Sequence, residues 1–164
     1  MSHIIYLTVE EVETFAWVTE ISHRNHQMYK VCFKNQYENI FYTDVETGRW
    51  IEEDLGFTTL ADHVGKQIGT FQRNIIHVPK MLTWHNQYNA EDKLISFGFY
   101  SFLKGQHKLY EIYNANKKYM YTLVDMDNDE WQILGNSSSF ISQIDPLFVE
   151  QIIQILPLYS ADYK

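Results

Sequence analysis

The chain has one cysteine, three prolines and seven glycines in 164 residues, and its longest basic run is Lys117-Lys118. One thiol can neither close an internal disulfide nor build a structural zinc site. So little proline and glycine excludes collagen-like and low-complexity chains. Lysine and arginine number 13 against 21 aspartates and glutamates, and the net charge of −8 is shared equally by the two halves. Affinity for nucleic acid comes largely from phosphate neutralisation, so neither nucleic acid nor an anionic membrane is an expected partner. No apolar run approaches the ~18 residues of a membrane span. The start, Met1-Ser2-His3-Ile4-Ile5-Tyr6, has neither the basic nor the apolar region of a secretion signal. A reducing cytoplasm is the expected setting for Cys32, and no cofactor and no metal is expected.

Aromatic residues are abundant, at 16%, and twelve of them are tyrosines. Flat amphipathic rings suit a half-buried pleated surface, which favours strands. Phe15, Trp17, Thr19 and Ile21 alternate with Ala16, Val18 and Glu20, the period of a strand. Segments 28–34, 39–44 and 50–53 complete a four-strand meander, with turns at 23–27 and around Thr47-Gly48. Leu60, Val64 and Ile68 then recur at helical spacing behind the cap candidates Thr58 and Thr59, predicting a helix over 59–69. The second half replays this order in 94–103, 107–113, 118–124 and 131–134. A helix follows from Asp145-Pro146, a strong start signal, with Pro157 as its expected end.

An offset of 81 aligns His26 with His107, Tyr29 with Tyr110, Asn35 with Asn116, Asp44 with Asp125 and Trp50 with Trp131. The expectation is an α+β fold dominated by antiparallel sheet, an internal duplication of a ββββα unit with its helices on one sheet face. One domain would span 1–164, with repeats 1–72 and 90–164 joined by a connector 73–89. That connector holds Ile75-Ile76-His77-Val78, read as a further strand or buried crossing, and runs into a polar loop over 85–92.

Familiar catalytic signatures are missing: no G-x-S-x-G, phosphate-binding loop or dinucleotide fingerprint occurs. Asp125-Met126-Asp127-Asn128-Asp129 opens like a calcium loop, but Glu130 stands where the sharp turn needs glycine and Asn136 where a bidentate glutamate belongs. It reads as an acidic hairpin tip. The seven histidines are scattered without zincin spacing. Cys32 lies mid-strand, with no helix N-terminus beside it to activate the thiol.

Two surfaces are candidates. Asp44, Glu46, Glu52 and Glu53, with Asp125, Asp127, Asp129 and Glu130, form acidic tips suited to a protein with a basic surface. Phe97, Phe99, Tyr100 and Phe102 put aromatic rings on both faces of one strand, where they could line a ligand pocket between sheet and helices. The expected function is a non-enzymatic protein-binding or inhibitory module, antidote-like in composition. The alternatives are a small-ligand carrier or an enzyme of unrecognised type.

Overall fold

The structure is a computed structural model that describes residues 2–21, 27–72, 77–89, 91–135 and 145–160. The expected turn at 23–27, apart from Gln27, together with Ile75, Ile76 and Asn136, lies outside them. The chain forms two compact units, Met1–Met81 with Asn116–Lys118, and Leu82–Ala115 with Tyr119–Lys164. Each is built on a five-stranded antiparallel sheet.

The first sheet runs in chain order through β1 (Ser2–Val9), β2 (Val12–Ile21), β3 (Met28–Phe33), β4 (Glu38–Thr43) and β5 (Trp50–Glu52). Helix α1 (Thr59–Phe71) follows. Alternation decides which face it covers: Ile5, Leu7, Ala16, Val18, Tyr29, Val31, Phe33 and Phe41 point to one side and pack with Ala61, Val64 and Ile68 of the helix. On the opposite face Ile21, Met28, Tyr42 and Ile51 form a second buried cluster. The helix begins where Thr58, in extended conformation, accepts the Ala61 N–H at 3.0 Å.

The second sheet runs β6 (Thr83–Tyr88), β7 (Leu94–Lys104), β8 (His107–Asn114), β9 (Tyr119–Asp125) and β10 (Trp131–Gly135), and α2 (Pro146–Ser160) follows. Asp145 caps this helix by accepting the Leu147 N–H at 3.0 Å. Phe148, Val149, Ile152 and Leu156 pack onto Phe97, Phe99, Tyr110, Ile112, Tyr121 and Leu123. Among the described residues no helix is long and apolar enough to cross a membrane.

The fold is α+β with antiparallel sheets, and its halves fit a duplication. Shifting the bounds of β1 through β5 by 81 lands within two residues of those of β6 through β10. The aligned pairs recur in space: Tyr29 and Trp50 have ring centroids 5.7 Å apart, and Tyr110 and Trp131 5.8 Å. Gln36 and Lys117, also aligned, both take a left-handed backbone, with φ of 68° and 58°, in the turns after β3 and β8. The match breaks once inside the sheets, at a bulge where Ile112 pairs with Tyr121 but Tyr113 with Tyr119, leaving Met120 as an extra residue in β9.

Three expectations need correcting. Each half has five strands, not four, because β1 and β6 precede the expected meanders. β6 takes up residues 83–88 of the expected connector, including the start of the expected polar loop. Its polar side chains His85, Asn86 and Gln87 suit a strand that pairs on one side only. Finally, Pro157 does not end α2. Proline removes one donor, but its φ is helical, and near a helix end one missing bond to the Ile153 carbonyl is tolerated.

Two glycines of α1 behave in opposite ways. A Cβ at Gly65 would lie 2.1 Å from Trp50 Cδ1, so the helix can seat on the indole only because that atom is absent. A Cβ at Gly69 would meet nothing within 4 Å. Replacing glycine by alanine inside a helix gains up to about 1 kcal/mol, whereas forcing an atom into a packed site costs about 1–3 kcal/mol or more. Urea unfolding should therefore show Gly65→Ala destabilised by roughly 2 kcal/mol and Gly69→Ala stabilised by roughly 0.5–1 kcal/mol.

Candidate functional site

The expected acidic cluster of the first unit is organised by the turn between β4 and β5. Asp44 is fully buried. Its Oδ1 accepts the Glu46 N–H at 2.9 Å, and its Oδ2 accepts from the Thr47 hydroxyl at 2.7 Å and the Lys117 ammonium at 3.0 Å. Lys117 also meets Glu46 at 2.8 Å, and Lys118 pairs with Glu53. Burial alone would raise the Asp44 pKa, but the Glu46 N–H, the Thr47 hydroxyl and Lys117 together hold it below its ordinary value. For Lys117, burial opposes the charge and the two carboxylates outweigh it, so its pKa is raised. Gly48, at φ 72°, closes the turn against the ring of His77, whose Cδ2 would lie 2.8 Å from an added Cβ.

Glu52 is also buried, at 2% exposure. Its Oε1 accepts from the Tyr37 hydroxyl and from Asn39 Nδ2 at 3.1 Å, and its Oε2 from the Thr58 hydroxyl at 2.8 Å. Asp44 and Glu52 therefore act inside the unit and are not surface carboxylates, while Glu46 and Glu53 are partly covered and ion-paired.

The tip between β9 and β10 is different. Asp127, Asp129 and Glu130 are exposed and Asp125 half-buried. Asp127, Asn128 and Asp129 are three successive left-handed residues, with φ of 69°, 55° and 63°. Asp125 accepts the Asp127 N–H at 3.2 Å, as Asp44 accepts that of Glu46. No lysine or arginine among the described residues forms an ion pair with this tip. Nor does any group of three or more His, Cys, Asp or Glu among them converge on a metal-sized site.

The aromatic candidates divide by face. Phe97 and Phe99 are core, and Phe97 meets Phe148 of α2 edge-on at 5.9 Å, so these rings fill the space between helix and sheet. Tyr100 and Phe102 lie on the opposite face, half-buried and stacked at 6.0 Å. On that face Glu111, 5% exposed, accepts from the Tyr113 hydroxyl at 2.8 Å. Cys32 is half-buried 3.4 Å from Glu38, and burial, then the Glu38 hydrogen bond and charge, push its thiol pKa up. That direction opposes thiolate chemistry.

One acidic tip was not among the sequence-derived candidates. Val9 and Val12 pair across a two-residue turn made of Glu10 and Glu11, with φ of 49° and 67°. This is the geometry that hairpins usually assign to Asn-Gly. Beside it lies a groove of about 600 Å³ lined by Val9, Val12, Phe33 and Leu60, with Glu10 and Glu13 among its polar residues. Compared with family models, curated proteins and solved structures, the chain matches none.

Two buried carboxylates generate predictions. Removing a charged acceptor from buried donors costs about 1.5–3 kcal/mol per site. Glu52→Ala should lose about 3 kcal/mol in urea unfolding, and Glu52→Gln clearly less, because an amide still accepts on one side and donates to Thr58 on the other. Asp44, whose folded pKa lies below the ordinary 3.8, stabilises the fold above that value and loses the contribution as pH falls through the folded pKa. The stability difference between the native chain and Asp44→Asn should be largest near neutrality and shrink below about pH 4.

Proposed function

We propose that the protein is a non-enzymatic binding module that recognises another protein through a basic surface, in the manner of an antidote. The observation that carries this reading is the contrast between two sets of carboxylates. Asp44, Glu46 and Glu53 are met by Lys117 and Lys118 within their own unit. Asp127, Asp129 and Glu130 stand exposed at a tip where no described lysine or arginine pairs with them. Carboxylates within one Debye length, about 8 Å, act together on an approaching cation. Single exposed pairs add only about 0–1 kcal/mol, so the tip acts mainly on association rate and partner choice. The net charge of −8 adds the long-range field.

A carrier reading has less support, since Phe97 and Phe99 are packed against α2 rather than lining a void. The cytoplasm remains the proposed location, on the strength of the single thiol.

Immobilised protein should capture a basic protein from a native lysate at low salt. Replacing Asp125, Asp127 and Asp129 by Asn keeps the turn and removes three charges. The association rate should fall about 3- to 10-fold at low salt and converge with the native rate at high salt. An unchanged rate at low salt overturns the role given to this tip.

A further inference from the structure

Of the four sheet edges, that of β1 is the least protected. β1 has eight residues, against three for β5, six for β6 and five for β10. Sheets usually blunt their edges with lysine, proline, a bulge or a short strand. Ser2–Val9 contains no Lys, Arg, Asp, Glu or Pro, and its pairing with β2 runs without a bulge from Ser2↔Thr19 to Val9↔Val12. Among the described residues no strand pairs with its outer side.

The side chains repeat the pattern. Ile5 and Leu7 are buried under α1, whereas Ile4 is 54% and Tyr6 71% exposed. Ile4 and Tyr6 sit opposite Trp17 and Phe15, and Trp17 is 45% exposed, so the face beside the edge is an apolar patch. Val9 and Val12 close the two-residue turn as a hydrogen-bonded pair, and backbone groups alternate from there along an antiparallel ladder. His3, Ile5, Leu7 and Val9 bond to β2, while Ser2, Ile4, Tyr6 and Thr8 direct their N–H and C=O groups outward.

We infer that β1 is the interface of a homodimer, in which two copies join edge to edge through antiparallel β1 strands about a two-fold axis at Ile5. The partner is a second copy for two reasons. First, the register is self-complementary. With Ile5 opposite Ile5, Ile4 faces Tyr6 and Ser2 faces Thr8 in both directions, so every outward backbone group finds a partner and each Ile4 meets an aromatic ring. Second, two copies of charge −8 meet most readily where the contact adds no further repulsion, and Ser2–Val9 brings no charged side chain into the new ladder. The two-fold also sends the Glu10-Glu11 turns to opposite ends. The basic partner proposed above would gain nothing from this uncharged strand, so the two proposals stand independently.

Sedimentation equilibrium on the full chain, from about 1 to 300 µM, tests the inference. The expected result is a dimer of twice 19.6 kDa. Tyr6→Lys and Ile4→Lys should each weaken it about tenfold or more with the circular dichroism unchanged. Val78→Lys, at a site 69% exposed and outside every strand, should leave it intact. In hydrogen exchange the Ile4 and Tyr6 amides should become protected as concentration rises. A chain that stays monomeric throughout overturns the inference. So does a dimer that survives both β1 variants, or one that leaves those two amides unprotected.

Discussion

The Glu52 carboxylate holds the first unit together at the point where sheet becomes helix. It stands at the end of β5, accepts hydrogen bonds from Asn39 of β4 and from Tyr37 of the turn before it, and accepts another from the hydroxyl of Thr58, whose oxygen accepts the Ala61 N–H of α1. A buried charge is costly unless its lone pairs are met, and here three side-chain donors meet them. The same arrangement fixes where α1 starts, and therefore which of its residues faces Trp50. Gly65 is that residue, and its missing side chain completes the fit.

The two halves fit a duplication, sharing strands and rings while differing in chemistry. The Tyr–Trp contact and the left-handed turn residue belong to the sheet and its hairpins and occur in both copies. Asp44 has a counterpart in Asp125, but the buried Glu52 and Glu111 have none. Glu52 would fall at Ile133, which is 41% exposed, and Glu111 at Lys30. Each half thus found its own way to satisfy polar groups on a common frame. The exposed acidic tip at 125–130 lies where the halves have diverged.

Much of the frame was legible because it depends on periodicity. Strands at β2 to β5 and β7 to β10 alternate, α1 repeats at helical spacing, and Thr58 and Asp145 are strong caps. β1 and its turn were not read as a hairpin, since Glu10-Glu11 lacks the chemistry of a left-handed turn and only the backbone reveals it. β6 looked like a loop because His85, Asn86 and Gln87 are polar, and its pairing to β7 is a long-range fact. The acidic set was legible as composition but not as geometry. Nothing in the local pattern says that Lys117 and Lys118, more than sixty residues away in the chain, neutralise Asp44, Glu46 and Glu53 while no described lysine or arginine pairs with the tip at Asp125.

The notch at Gly65 also bears on how the two copies can exchange sequence. The offset that superposes the sheets carries Gly65 onto Pro146, the first residue of α2, so the second helix starts about where the first has already reached its indole. Crossovers between the repeats would be tolerated inside the strands, whose bounds agree within two residues. A crossover reaching into the helices would set a proline ring against Trp50 and leave Trp131 beneath a helix out of phase with it. The common frame of the two halves therefore lies in the sheets, and each helix is fitted to its own half.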